Sequence, residues 1–351
     1  MVAPQVMTAA DRPLRATDVT LHRRPDDGVA LLERRGRYVQ LSRAAAAIWQ
    51  LCDGEHDVDA IAQSYRERYA VDGTPAIAAL LDRWHRAGLV ARGLDVADGR
   101  TSEQTCSVVR SGAGVYVAWR VERWAPLLRW MARAAFAPPV LLALAAIALS
   151  GGALALRIGT RSAVHGAAQT VALAVALGFA VIVHEAGHAL TLARFGGTIR
   201  RIGIGWYWCA PVAFVDTSDA HALPRAQRIG VSLGGPLASF VLAGLAALVA
   251  SCALPESVRS LAWSLAIVNY GVSLWNLNPL IELDGYYILA DLLGRPNLRS
   301  DAFRALRRRC ASRVELAYAA GALTYALVIV GFVLHAVIPA IAIDVRALFA
   351  M

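Results

Sequence analysis

Five stretches in the second part of this chain contain no Asp, Glu, Lys or Arg: residues 136–156, 162–184, 229–255, 260–281 and 316–343. Each is at least as long as the roughly 20 residues an α-helix needs to cross a bilayer. Inside hydrocarbon a segment must satisfy its own backbone amides, so such runs fold as helices. The sequence therefore predicts a mainly α, polytopic membrane region over residues 136–351, with about five transmembrane helices. Only 17% of the chain is charged, against roughly a quarter in an ordinary soluble protein. All 35 basic residues are Arg. Chemistry that needs a Schiff-base lysine or a phosphate-loop lysine is thereby excluded.

Residues 1–135 differ, holding 19 Arg and 16 acidic residues. The first 20 residues include Asp11, Arg12, Arg15 and Asp18 and no apolar run of signal-peptide length, so this part is expected to stay in the cytosol. Loop charge agrees: with a cytosolic start, the inside segments 116–135, 191–228 and 284–315 carry 16 Arg, and the outside segments 157–166, 254–259 and 344–351 carry 4. That is the positive-inside pattern. The five cysteines (Cys52, Cys106, Cys209, Cys252, Cys310) are scattered and odd in number. They read as packing or surface thiols rather than a disulfide framework or a cysteine-based metal site.

The second apolar run leads into Val183-His184-Glu185-Ala186-Gly187-His188. Helical positions i and i+4 share a face, so His184 and His188 can turn both imidazoles toward one metal, with Glu185 beside it to move a proton. A carboxylate within a span costs about 2.5–3.5 kcal/mol at its centre on insertion scales and less near an end, so Glu185 is poorly explained as a solvated surface group. A catalytic zinc takes a third protein ligand. Among the scarce acidic residues, Asp284 closes the fourth apolar run in Asn276-Leu277-Asn278-Pro279-Leu280-Ile281-Glu282-Leu283-Asp284-Gly285. The topology brings it to the same membrane face as the histidine pair. Glu282 is the rival, pointing elsewhere from two residues away.

These residues resemble the site-2 proteases, intramembrane zinc metalloproteases. His184-Glu185-x-x-His188 matches their first signature, and Asn276-x-x-Pro279 with Leu283-Asp284-Gly285 matches the second. Ser232-Leu233-Gly234-Gly235-Pro236-Leu237-Ala238 resembles their small-residue helix, which packs between the ligand helices. The resemblance covers roughly 136–345. It implies Zn2+ bound by His184, His188 and Asp284, with Glu185 as general acid and base. It implies that Asn276 orients substrate or oxyanion, the alternative being a backbone-satisfying role near Pro279. Residues 198–216 are β-prone, with Gly203, Gly205 and Pro211 as punctuation. They read either as a membrane-dipping hairpin whose edge holds an extended substrate, at Ile204 and Gly205, or as an interfacial loop.

The soluble part is expected to comprise a flexible tail (1–14), a small α+β winged-helix-like domain (15–95), and a linker with an interfacial amphipathic helix (96–135). Strands over Gly28–Arg35 and Arg37–Leu41 turn at Gly36, and Ser42 is an N-cap candidate before a helix over Arg43–Cys52. Helices over Asp57–Tyr69 and Thr74–Ala87 follow, then a strand over Leu89–Arg92. Residues 15–95 hold 12 Arg and 12 acidic residues; without a basic excess, no nucleic-acid partner is expected. The segments Tyr38-Val39-Gln40-Leu41-Ser42, Ile48–Gly54 and Val58–Ile61 resemble the PqqD-like domain. That is the leader-recognition element for ribosomally made, modified peptides. The resemblance implies that a leader peptide adds as a strand along Tyr38, Val39, Gln40 and Leu41, packed against the helix at 74–87.

Residues 96–115 are polar and contain Gly and Ser, while Trp119–Arg133 alternates Arg with Trp and Leu and suits a helix lying on the lipid surface. The expectation is a multi-pass bacterial inner-membrane zinc endopeptidase with a cytosolic N-terminal domain, acting on a precursor or leader peptide alongside peptide-modification or export proteins. Two other readings stand beside it: cleavage of a transmembrane regulator or signal-peptide remnant, and a non-catalytic peptide-binding, export or immunity module.

Overall fold

The computed structural model describes residues 7–34, 37–92, 106–111, 114–158, 166–207, 210–332 and 334–335. The chain divides into two compact units: residues 1–129 with 192–227, and residues 130–191 with 228–351. Gly36 and residues 96–105, 159–165 and 336 onward lie outside the described residues.

The first unit opens with β1 (Pro13–Arg15), β2 (Val19–Arg23), β3 (Ala30–Arg34) and β4 (Arg37–Leu41). Helices α1 (Arg43–Gln50), α2 (Val58–Tyr69) and α3 (Thr74–Arg86) and strand β5 (Val90–Arg92) follow. β2, β3 and β4 form an antiparallel meander, and β1 pairs with β5. The helix starts are written locally. The Ser42 side chain accepts from the Ala45 amide at 3.1 Å, and Asp57 accepts from Ala60 at 2.8 Å, each satisfying an orphan first-turn donor. The helices turn Ile48, Trp49, Ile61, Ile77, Leu81 and Trp84 onto Leu32 and Leu41 to make one core, with Trp49 and Trp84 edge to face at 5.4 Å. Leu81 is fully buried there. Leu81→Ala is expected to cost about 2–5 kcal/mol, read as faster hydrogen exchange of the α1–α3 amides in the full chain.

The expected tail at 1–14 is corrected from residue 7 onward: Met7 is buried in this core, and Pro13–Arg15 is a paired strand. The linker is corrected as well. β6 (Cys106–Ser111) and β7 (Gly114–Arg120) form a hairpin, and the amphipathic helix α4 begins only at Ala125, ending at Ala135. After α5 (Pro138–Ile158) and α6 (Gly166–Arg194) the chain returns as β8 (Arg201–Tyr207) and β9 (Ala210–Val215). Together they make a four-stranded antiparallel sheet in the order β6-β7-β8-β9. Gly203 is needed at its centre, because a Cβ there would overlap the Phe214 ring and the Val117 carbonyl.

Ion pairs knit this unit internally. Arg200 binds Glu33 at 2.6 Å and Asp219 at 3.2 Å, His22 reaches the other Glu33 oxygen at 2.7 Å, and Arg201 pairs with the nearly buried Asp216. The 198–219 segment is thereby fastened to the β2-β3-β4 meander.

The second unit is helical. Besides α5 and most of α6 it holds α7 (Arg225–Ser251, from Arg228 on), α8 (Glu256–Asn276), α9 (Asp284–Leu292), α10 (Leu298–Arg307) and α11 (Arg313–Phe332). By length and composition α5, α6, α7 and α11 are apolar enough to cross a membrane. α8 has 21 residues but is not among these four, since it spends positions on buried Ser260, Asn269 and Ser273. Half of the apolar window of α7 is buried inside the protein, against 6% for α5 and α6, so α7 is the most enclosed of these spans. Small residues let neighbours reach its backbone: Gly244 meets α5 at Gly151, and Gly234 meets α6 at Gly187. Such contacts substitute for a hydrophobic driving force where the surroundings are themselves apolar.

Candidate metal centre

Apolar residues without an interior proline carry α6 through 29 residues, beyond His184 to Arg194. His184 and His188, one turn apart, therefore share a face, their rings perpendicular at 5.0 Å between centroids. The third member arrives on α9. Its segment leaves α8 through Asn278, whose side chain accepts the Leu280 amide at 2.9 Å, and α9 starts at Asp284 itself. A carboxylate in the first helical turn sits at the positive end of the helix dipole. Gly285 is required beside it, since a Cβ would strike the Leu277 carbonyl.

The three side chains converge. His184 Nε2 lies 3.1 Å from Asp284 Oδ2, His188 Nε2 lies 3.3 Å from Asp284 Oδ1, and the two Nε2 atoms are 3.3 Å apart. Each side chain is between 10% and 17% exposed. His188 Nδ1 donates to the Val231 carbonyl at 2.7 Å. A carbonyl can only accept, so Nδ1 carries a proton and Nε2 is turned to the cluster. Donors about 2.0–2.1 Å from a tetrahedral zinc stand about 3.3 Å from one another, the spacing found here. Two imidazole nitrogens and one carboxylate oxygen also suit zinc chemically. Among the described residues this is the one group of three that could hold a metal ion.

Glu185 is half-buried on the adjoining helix position, whereas Glu282, the rival to Asp284, is exposed and outside the group. Asn276 ends α8, half-buried, and among the described residues no hydrogen bond joins it to the cluster. Tyr38, Val39, Gln40 and Leu41 lie in β4, which among the described residues pairs with β3 alone. Leu41 points into the core, while Val39 and Gln40 are exposed. The Ser218–Ala222 turn lies near this strand.

Ile204 and Gly205 require a correction. They sit in β8, which is hydrogen-bonded to β7 and to β9, so Ile204 faces Val117 on one side and Ala213 on the other. Neither residue can accept an added strand. Among the described residues the edges of that sheet are β6 and β9.

Two features of the cluster left no pattern in the sequence: the Val231 carbonyl, and Ser239, whose hydroxyl lies 2.9 Å from His184 Nδ1. The packing role read for the cysteines holds at Cys52. Burial pushes its thiol up to about 12, with Arg15 opposing the rise and Asp53 adding to it, so it is an inert core residue.

Two family models match the chain: PqqD (coenzyme PQQ synthesis protein D) over residues 27–90, and Peptidase family M50 over residues 172–256. The second match takes in His184, Glu185 and His188 on α6 and the whole of α7, and ends before Asp284. A Bacillus subtilis protein named as a putative peptide zinc metalloprotease is 25% identical over 139 residues, 39% of this chain and 54% of that protein. A zinc metalloprotease of Methanocaldococcus jannaschii is 26% identical over 125 residues, 35% of this chain and 34% of that protein. The matched stretch thus spans about half of one relative and a third of the other. No solved structure matches significantly. The chain thus carries a segment similar to PqqD, followed by one similar to Peptidase family M50.

Proposed function

We propose that this protein is an intramembrane zinc endopeptidase of a bacterial inner membrane. Its N-terminal domain, a winged-helix-like reader over residues 15–95, captures the leader of a ribosomally made precursor peptide. The region at 96–135 links it to a protease domain at 136–351, which cleaves the precursor during maturation or export, alongside modification or export proteins. In this reading α8 is the fifth span, its polar face turned inward, and the reader is cytosolic. The observation that carries the proposal is the convergence within 3.3 Å of the Asp284 carboxylate and the two Nε2 atoms of the helix with the His-Glu-x-x-His pattern.

His184, His188 and Asp284 would hold the ion. When bound, zinc supplies a Lewis acid for the scissile carbonyl and makes water acidic enough to ionise near neutral pH. Glu185 takes the proton from the attacking water and returns it to the leaving amine, so one water is consumed for each amide broken. Asn276, where the second signature begins, orients the peptide or the developing oxyanion. Half-burial of the cluster keeps bulk water from competing for these groups. On the reader, the outer side of β4 offers the extended leader backbone donors and acceptors, and the exposed Val39 and Gln40 offer side-chain contacts.

The test uses the full chain in detergent or lipid and a short precursor peptide with its leader intact. Cleavage should stop when a chelator removes the metal and return when zinc is restored. Deleting the leader should raise KM much more than it lowers kcat. Cleavage that persists without metal would refute the zinc mechanism, and leader-independent cleavage would refute the reader.

A further inference from the structure

Val231, Gly235 and Ser239 are spaced four residues apart on α7 and so form one stripe, which faces the imidazoles of α6. The Val231 carbonyl accepts from His188 Nδ1. A Cβ on Gly235 would overlap both Nε2 atoms, so the α7 backbone passes directly against the ligating edge. Ser239 is 2% exposed, and its Oγ is 2.9 Å from His184 Nδ1. Pro236 lies within this stretch and has no N–H to offer the Ser232 carbonyl one turn back. The turn is opened where the neighbouring carbonyl, that of Val231, is taken by an imidazole.

We propose that Ser239 is a positioning residue for His184: its hydroxyl accepts the Nδ1 proton, fixing the tautomer and ring plane that present Nε2 beside Asp284. This rests on the reading of His184, His188 and Asp284 as metal ligands. A buried helical serine ordinarily turns its hydroxyl to the carbonyl one turn back, and a partner on another helix calls for a different account. The two histidines then receive matched support from one helix, a backbone oxygen for one and a hydroxyl for the other. Groups that orient a ligating imidazole in this way typically change metal affinity by about 10–100-fold when removed.

The test compares wild type, Ser239→Ala and Ser239→Thr as full chains in detergent. Zn2+ affinity is measured by competition with a chromophoric chelator, and the site geometry by the visible absorption of the Co2+-loaded protein. Ser239→Ala should bind zinc about 10–100-fold more weakly and show a changed cobalt spectrum, while Ser239→Thr, which keeps a hydroxyl, should recover both. Wild-type affinity and spectrum in Ser239→Ala would overturn the assignment. So would a loss that the threonine does not restore, because the hydroxyl would then not be what matters. If the wild type binds zinc no better than a His184→Ala/His188→Ala variant, the metal-centre reading itself fails, an outcome distinct from failure of the Ser239 role alone.

Discussion

Glu185→Gln should abolish peptide cleavage while leaving zinc bound. The amide is nearly isosteric with the carboxylate, and Glu185 is not one of the three converging residues, His184, His188 and Asp284, so the donor set survives. What disappears is the group that, in the proposed mechanism, accepts a proton from water and passes it to the leaving amine. General acid–base catalysis of this kind contributes about 10²–10⁴-fold, and kcat should fall by that amount with KM little changed. Two measurements decide it: product formation from a precursor peptide under single-turnover conditions, and zinc per chain by metal analysis. Full zinc with undiminished cleavage would assign the proton transfer to another residue. Loss of zinc would mean that Glu185 helps hold the ion.

Gly235→Ala should damage the metal centre without altering a ligand. A methyl at this position would overlap His188 Nε2 and stand 2.6 Å from His184 Nε2. The rings cannot swing aside freely, because their Nδ1 atoms are held by Val231 and Ser239 on the same helix as the new methyl group. Withdrawing α7 would carry both anchors away; keeping α7 in place would force the rings off axis. Either response spoils the donor spacing, so zinc affinity should drop by at least the roughly 10–100-fold typical of lost outer support. Gly271→Ala on α8, where a Cβ would meet nothing within 4 Å, is the control and should retain zinc. Equal zinc affinity in the two variants would show that α7 can yield at no cost.

His184, Glu185 and His188 stand at the end of a charge-free run, where an acidic residue is conspicuous, and helical periodicity alone puts the histidines together. Asp284 was legible because so few acidic residues remain near the spans. Ser239 was not, since a serine in an apolar helix carries no periodic or charge signal, and a backbone carbonyl such as that of Val231 carries none at all. The same limit hid half of the sheet. β6 lies in the polar, glycine-containing stretch at 96–115 that reads locally as a linker, β7 runs from its end into the segment read as an interfacial helix from Trp119, and the sheet is completed by β8, which is remote in sequence. For the same reason Ile204 and Gly205 read as an edge: the composition of 198–216 shows that β8 is a strand, not that both its sides are occupied. In the N-terminal domain the signals were local, such as Ser42, Asp57 and the spacing of Ile77, Leu81 and Trp84, and there the elements match the reading closely. Pro13–Arg15 escaped because a three-residue strand has too few positions to show a period.

The pairing of β7 with β8 also constrains how the chain is made. Arg120 stands opposite Arg201 in the ladder, and all of α5 and α6 is synthesised between them. β6 and β7 therefore leave the ribosome as an isolated hairpin, marginal by itself, with one strand edge unsatisfied until both following helices have been synthesised. Closure of so long a loop is slow compared with local helix formation. The sheet cannot be completed before both helices have been made. A nascent chain that stalls after α5 keeps an exposed β7 edge, the kind of surface that invites aggregation and proteolysis.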